Sequence, residues 1–443
     1  MRKTNISMFS ELVELLKTTE WILVHGGWVL FAGLMLYMMY ELYLEHIQIE
    51  WYNNQKWVFL KITVPPENER SPLAFEHVFE QLHSIQETFS WAETHLEGQM
   101  QMWFTWEITS IGGVIGNYVR ISPKYRDTLE AAIYSEFPAA EISEAEDYFA
   151  KLPQYDPEKS PYDIYALTWR YTQRNEYPIR SYRYWEHPTA ETMVDPIAGL
   201  WEEMGKISPY EMFILQFVMR PVGDEWKGRA KEFVQKLKGV PEFQEGHGHG
   251  NAMLGIIGKI IGPALDVLLR PDSEAKAGHV KEEPPSLMLH LTETEKQVIT
   301  QIEAKIARWC YNTKIHGMYI APREKYQPTL LLRSVIGALK SFGSDDMNAL
   351  KPLLARWTRV KYYLFEEWEK PITQFRLHWR KRKYFKFMKN RFWLHGPPAQ
   401  IMISEELATL IHFPQLTVKV PQIDMVRVIK EQPPPDLPIV PGL

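Results

Sequence analysis

The residues best suited to binding chemistry are the cations of a segment near the C-terminus. Between Lys351 and His395 there are thirteen Lys or Arg and three acids, so this segment carries a net charge of +10. The whole chain carries −5, which leaves −15 for the remaining residues. Such a density of positive charge suits an anionic partner, for example a phosphate backbone or a lipid headgroup.

Within this segment, residues 376–391 interleave cations with aromatic rings. The eight cations are Arg376, Arg380, Lys381, Arg382, Lys383, Lys386, Lys389 and Arg391. The rings are Trp379, Tyr384, Phe385 and Phe387. This pattern is typical of a solvated helix face, of a face that contacts an acidic lipid or protein surface, and of a face that binds nucleic acid by stacking its bases. The residues alone leave these three interpretations open.

No motif in the chain predicts catalysis, a cofactor or a metal ion. Residues 255–260 are similar to a phosphate-binding loop, but that loop needs glycine where Met253 stands and Ser or Thr where Ile260 stands. His247 and His249 lie in a glycine-rich stretch without the third ligand that a zinc site requires. We therefore expect a protein that is not an enzyme.

The N-terminal segment, residues 1–50, is predicted to carry a membrane anchor. Residues 21–40 have no formal charge, and about 20 apolar residues suffice for a helix that crosses a bilayer. We place the transmembrane helix at about 21–44. The alternatives are a buried core helix and a secretory signal, which would be shorter and end at a small-residue cleavage site. Three cations before the span against two after it favour a cytoplasmic N-terminus.

Residues 57–150 predict a first ferredoxin-like unit. The order of elements is strand, helix, strand, strand, helix, strand, which is the split βαβ pattern. Ser71-Pro72 and Ser122-Pro123 open the helices, because serine caps a helix and proline suits its first position. Gly112-Gly113 predicts a hairpin between the middle strands. The strands are predicted at 57–64, Trp103–Ile111, Val114–Ile121 and Glu141–Tyr148.

Residues 160–345 predict a second unit of the same α+β type. A flexible insertion at 239–286, rich in Gly, Pro, Glu and Lys, interrupts it. After the insertion, Thr292 and Glu295 form a capping box that begins a helix. The strands are predicted at 165–172, 212–219 and 315–320, and further helices at 195–206, 226–237 and 330–339.

The C-terminal part is predicted to be helical and basic at first and extended at its end. Residues 351–412 form a basic helical region, and residues 413–443 form an extended, proline-rich tail. The predicted fold class is therefore α+β, with an N-terminal transmembrane helix, two ferredoxin-like sandwiches and a basic helical C-terminal region. The single cysteine, Cys310, excludes an intramolecular disulfide and a cysteine-based zinc site.

Two stretches of the chain resemble a known family. They are similar to the accessory region before the motor of conjugation-type (type IV secretion) ATPases, chiefly those of candidate-phyla bacteria. The first stretch comprises FLKITVPPENERSPLAFEHVFEQLHSI and EITSIGGVIGNYVRISPKYRDTLEAAIYSEFPAAEISEAEDY, and the second is ISEELATLIHFPQLTVKVPQIDMVRVIKEQPPPDLP. In fused relatives a motor with a P-loop follows, whereas this sequence stops at Leu443. The resemblance implies a protein associated with such an ATPase rather than an ATPase. It also implies that the soluble part lies in the cytoplasm, which is opposite to the orientation that the charge count favours.

Two classes of function follow from these observations. In the first, the chain is a single-pass protein of the cell membrane and a non-catalytic subunit of a translocation apparatus, which docks a conjugation-type ATPase in trans near residues 401–443. In the second, it is a membrane-tethered protein that binds nucleic acid through residues 376–391. The partners expected are that ATPase and membrane lipid, with DNA and a second copy of the chain as further alternatives.

Overall fold

The fold was determined as a computed structural model, which describes residues 28–65, 70–185, 195, 197–238, 291–353, 358, 366–394 and 396–414. The predicted insertion at 239–286 and all but the first two residues of the predicted tail lie outside these residues. The first seven residues of the uncharged run 21–40 also lie outside them, as do His247, His249 and residues 255–260.

The described residues form a mixture of helices and strands. The helices are α1 Trp28–Asn53, α2 Pro72–Leu82, α3 Trp91–His95, α4 Arg126–Glu136, α5 Ala198–Gly205, α6 Glu225–Leu237, α7 Glu293–Ala307, α8 Thr329–Lys340, α9 Glu366–Asn390 and α10 Ser404–Leu410. The strands are β1 Val58–Thr63, β2 Phe104–Ile111, β3 Val114–Ile121, β4 Glu141–Glu144, β5 Tyr162–Tyr171, β6 Met212–Val222, β7 Cys310–Pro322, β8 Leu350–Pro352 and β9 Gln400–Ile403.

All nine of these strands belong to one antiparallel sheet, which confirms the mixed α+β class. The strand order is β4-β1-β3-β2-β6-β7-β5-β8, and β9 pairs with the first residues of β7. The predicted first and second units are joined edge to edge, because β2 pairs with β6 along its whole length from Phe104 to Ile111. Strands from both units therefore share one hydrogen-bonded sheet.

The two halves of the sheet have the same internal strand order. The strands of each half are numbered one to four in chain order. From the outer edge of the sheet toward its centre, their order in each half is then fourth, first, third, second. In the first half, Gly112 and Gly113 connect β2 to β3 with φ of 60° and 87°, a backbone conformation that glycine adopts without strain. In the second half, α6, residues 239–290 and α7 replace that two-residue hairpin.

The helices cover the two faces of the sheet unequally. On one face, α2, α4, α5, α8 and α10 pack over a large apolar core that includes Trp106, Trp169 and Trp201. On the other face, α9 covers a smaller cluster with Tyr384, Phe385, Phe387 and Met388. The spacing i, i+1, i+3, i+4 places these four side chains along one stripe of the helix.

The C-terminal part of helix α1 packs against the sheet. Tyr52 is buried, and its ring stacks on Trp103 with ring centroids 4.9 Å apart. The apolar residues from Trp28 to Tyr43 are mostly exposed. Among the residues that the structure describes, no helix is both long enough and apolar enough to cross a membrane.

The predicted basic helical region, 351–412, contains more than a basic helix. Its start lies in β8, which pairs with β5, and its end forms β9, which pairs with β7. Helix α10 is buried along its whole length. Phe413, the first residue of the predicted tail, is also buried, with its ring 4.8 Å from that of Phe75. Residues 400–413 are therefore part of the core.

Candidate functional site

The basic helix α9 buries one face of its C-terminal half, whereas its N-terminal half is mostly exposed. The sequence predicts eight binding cations here, and the structure places two of them, Lys381 and Arg391, in the protein interior. Arg376, Arg382, Lys383 and Lys386 are exposed, while Arg380 and Lys389 are half-buried. The two buried cations have carboxylate partners, so they belong to the packing of the helix.

Arg391 is the centre of a buried ionic cluster. Its Nε and Nη2 donate to the Glu107 carboxylate at 2.6 and 3.0 Å, and its Nη1 and Nη2 donate to Asp147 at 2.6 and 3.1 Å. A further Nη1 bond to the Lys389 carbonyl, 3.1 Å, completes the five donors of a guanidinium. Burial lowers the pKa of Arg391, but the charge of Glu107 and its hydrogen bonds outweigh this and raise the pKa well above its ordinary value.

The backbone at the end of α9 is fixed as firmly as the Arg391 side chain. Arg391 has φ of 52°, an uncommon left-handed conformation for a residue with a Cβ. Its carbonyl accepts a hydrogen bond from Trp103 Nε1 at 2.9 Å. The carbonyl of Asn390 accepts from Tyr52 Oη and from Arg120, both at 3.0 Å. The end of α9 is thus tied to the residue before β2, to β3 and to the base of α1.

Glu107 belongs to a row of polar side chains that crosses the middle of the sheet beneath α9. Across neighbouring strands, Glu107 on β2 pairs with Gln216 on β6, Gln216 pairs with His316 on β7, and His316 pairs with Thr168 on β5. Gln216 Nε2 donates to Glu107 Oε1 at 2.9 Å and to the Met388 carbonyl at 3.2 Å. Thr168 Oγ1 lies 2.9 Å from His316 Nδ1. The row joins both halves of the sheet to the helix that covers them.

Lys381, on α9, makes a second buried ion pair, separate from the Arg391 cluster. Its Nζ donates to both oxygens of Asp163 at 2.6 and 2.7 Å. Tyr155 Oη donates to the same carboxylate at 2.6 Å. Burial lowers the pKa of Lys381, and the Asp163 charge offsets this only in part. This pair positions α9 over β5.

The exposed half of α9 combines apolar and cationic side chains. Ile372, Phe375 and Trp379 are 64%, 73% and 56% exposed, and their spacing of three and four residues places them on one stripe. Lys383 continues this stripe, with its Nζ 4.9 Å from the ring centroid of Trp379. Arg376 stands beside Phe375. This stripe can offer stacking rings and positive charge to the same partner.

A groove connects this stripe to the base of α1. It has a volume of about 430 Å³ and is lined by Ile49, Tyr52, Asn53, Lys383, Lys386, Phe387, Asn390 and Phe392. A second groove of about 290 Å³, lined by Trp379, Lys383 and Gly396 among others, lies beside the first, since Lys383 lines both. The walls of both grooves are mainly apolar, and the charge comes from Lys383 and Lys386 in the first groove and from Arg380 and Lys383 in the second.

Sequence reasoning missed a second ionic cluster, on the opposite face of the sheet. Lys305 and Glu406 form a fully buried pair at 3.0 Å. Arg308 pairs with Glu76 at 2.6 Å and also contacts Glu405, and Arg183 bridges the same two acids at 3.2 and 3.1 Å. The adjacent acids Glu405-Glu406 inside the apolar run 401–413 were a usable signal, because buried carboxylates need partners.

The rest of the described structure offers little chemistry beyond these ion pairs. Within the described ranges, no group of three or more His, Cys, Asp or Glu side chains is arranged to hold a metal ion. Comparison with protein-family models found no family that matches the chain, and comparison with curated proteins found no significant relative.

Proposed function

We propose that the protein is a membrane-anchored, non-catalytic subunit of a type IV secretion or conjugation-like translocation apparatus, which docks a conjugation-type ATPase in trans. The exposed apolar surface of helix α1 is the observation that supports the membrane anchor. Most of the apolar residues described between Trp28 and Tyr43 are exposed, while the base of the helix is fixed to the sheet through Tyr52. Exposed apolar surface of this extent favours a lipid or protein partner.

The proposed anchor comprises residues 21–44, with a single pass through the cell membrane and the remaining chain in the cytoplasm. The uncharged run 21–40 supports the span, and the resemblance to the region before a cytoplasmic motor supports the orientation. Deleting residues 1–50 should move the protein from the membrane pellet to the supernatant. Protease added outside spheroplasts should leave residues 57–443 intact. Digestion from outside would reverse the proposed orientation.

The two halves of the sheet are proposed to be two ferredoxin-like units fused at their edges. Their shared strand order and their antiparallel neighbours support this interpretation. Such a sheet, braced by buried ion pairs on both faces, would present the ATPase with a rigid base. The resemblance at both ends of the chain supplies the identity of that partner.

The docking segment is proposed to be residues 415–443. Residues 401–413 were included in the predicted contact region, but they are buried in the core. Truncation after His395 would therefore remove β9 and α10 and disrupt the fold. Truncation after Pro414 leaves the described core complete, and it should abolish co-purification of the ATPase from detergent-solubilised membranes. Replacement of 415–443 by a Gly/Ser segment of equal length is the matched control for chain length, and it should lose the ATPase as well.

A second candidate function is a membrane-tethered nucleic-acid-binding protein. The exposed rings Phe375 and Trp379 beside Arg376 and Lys383 favour it, since stacking and positive charge are the two requirements for binding single strands. The exposed cations of α9, rather than Lys381 and Arg391, would carry the contact. Binding of the full chain to DNA with a steep salt dependence, in the absence of any ATPase partner, would support this candidate over the first.

A further inference from the structure

The short helix α3 exposes large apolar side chains that the proposed docking role does not use. Trp91, its first residue, and Leu96, the residue that follows it, are 68% and 60% exposed. A capping box between Ser90 and Glu93 fixes the start of the helix, with reciprocal hydrogen bonds of 3.3 and 2.7 Å. The exposure of Trp91 and Leu96 is therefore a feature of an ordered element.

Helix α3 packs directly against α1. The His95 ring stacks on Trp91, with centroids 4.9 Å apart and planes inclined by 12°, and on Tyr40, with centroids 6.2 Å apart and planes inclined by 16°. At Gly98, which has φ of +69°, an added Cβ would lie 2.5 Å from the backbone of Ile47. The two contacts are seven residues apart on α1, about 10 Å along a helix. This separation fixes the direction of α1 relative to α3.

Tyr40 marks a chemical boundary on α1. It is the last residue of the uncharged run 21–40, and Glu41 follows it. As a helix, that run would be about 30 Å long, the thickness of a bilayer's hydrocarbon core. Tyr40 would then lie at the membrane–water interface, where Tyr and Trp are enriched because each ring has an apolar body and a polar edge.

We propose that α3 is a foot that rests in this interface, with Trp91 and Leu96 inserted among lipid headgroups beside Tyr40. The inference rests on the membrane anchor of the proposed function. Glu93 and Glu97 lie on or next to α3, and Glu41 lies beside Tyr40 on α1, so the local charge is negative. The foot therefore binds lipid through its apolar and aromatic surface, independently of anionic headgroups and of salt. It sets the distance between the sheet and the membrane.

The test places an environment-sensitive fluorophore on the foot in the full chain. Trp91→Cys and Leu96→Cys provide the labelling sites in two separate proteins. Cys310 need not be removed, because it is buried and burial raises the pKa of its thiol to about 12. Val114→Cys is the control, since this half-exposed apolar residue lies at the far end of the β2–β3 hairpin, about 25 Å from Trp103 and the base of α1.

Each labelled protein is reconstituted into phosphatidylcholine vesicles. The probes at 91 and 96 should shift to shorter wavelength and be quenched by a lipid-attached quencher at least several-fold more than the probe at 114, at both low and high salt. If the protein floats with the vesicles but an aqueous quencher reaches 91, 96 and 114 alike, the foot is wrong and the anchor stands. Protection from both quenchers would mean that protein covers α3, which also overturns the foot. A chain that does not float with vesicles would contradict both the anchor and the foot.

Discussion

The two halves of helix α9 differ in what their cations do. One face of the C-terminal half buries Lys381, and Arg391 just after it, against Asp163, Glu107 and Asp147, and four apolar side chains fill the space between them. The opposite face of this half exposes Arg382, Lys383 and Lys386. In the N-terminal half, Arg376 and three large apolar residues are exposed. A local charge of +10 therefore does not measure a binding surface, because part of it neutralises acids of the sheet.

The largest expected effect is at Arg391. Arg391→Met leaves the Glu107 carboxylate buried without its counter-ion, and it should lower the free energy of unfolding by about 3–5 kcal/mol. Denaturant unfolding of the purified chain in detergent measures this change. Arg376→Met, in the exposed half, is the matched control and should change stability by less than about 0.5 kcal/mol.

A second substitution sharpens this prediction. Combining Arg391→Met with Glu107→Leu removes both charges, and it should recover part of the lost stability, since well-packed apolar residues often replace a buried ion pair at little cost. Equal losses for Arg391→Met and Arg376→Met would contradict the division of α9 into two halves.

A smaller loss is expected at Lys381. Its removal leaves Asp163 with the Tyr155 hydroxyl and the backbone amide of Ile164 as remaining donors, so Lys381→Met should cost about 1–3 kcal/mol. Lys383→Met, two residues further along α9 and exposed, is its matched control. The difference in urea midpoint between the two variants gives the comparison. A larger loss for Lys383→Met would place the buried face on the wrong side of the helix.

Replacement of exposed cations should change binding and leave stability unchanged. The variant carries Gln at Arg376, Arg382, Lys383 and Lys386. It should bind DNA and anionic vesicles several-fold more weakly at low salt, because it loses contacts between its cations and anionic groups. For duplex DNA, each lost phosphate contact should also reduce the slope of log K against log salt concentration by about 0.9. Vesicle co-flotation and DNA titration over a range of salt concentrations measure both partners. Unchanged binding to both, with a normal fold, would leave α9 as a structural element alone.

The smallest effect is a pH dependence of stability that arises from the buried Lys381. Because burial lowers the pKa of Lys381 below 10.5, the unfolded chain binds more protons than the folded chain between the folded pKa and 10.5. In that window the contribution of Lys381 to stability rises with pH. The stability difference between the natural chain and Lys381→Met should therefore increase with pH there. A difference that stays constant or falls with pH in that window would contradict the burial of the Lys381 ammonium.

Local signals in the sequence predicted the elements well. The Ser71 cap, the Gly112-Gly113 hairpin and the Thr292–Glu295 capping box are each formed as expected, because every partner lies within three residues. Arg391 was assigned to a binding face, since its partner Glu107 is 284 residues away and no local pattern connects them. Lys381 and Asp163, 218 residues apart, were missed for the same reason.

Pairing between distant strands was equally hidden. The residues of β2 and β6 each predict a strand. They do not show that each strand lies at the edge of its half, or that the two strands pair with each other. Strands β8 and β9 are three and four residues long, too short for an alternating pattern to stand out. The burial of α10 depends on Lys305 and Arg308, which neutralise Glu406 and Glu405 from another part of the chain.

The most direct test of the proposed role is recruitment of the ATPase to a membrane by the purified chain. Vesicles that carry the full chain, vesicles that carry residues 1–414, and empty vesicles are each mixed with a purified conjugation-type ATPase and floated on a density gradient. We expect the ATPase to float only with the full chain, and the chain alone to show no ATP turnover. Equal flotation of the ATPase with all three kinds of vesicle, or ATP hydrolysis by the chain without the ATPase, would contradict the proposal.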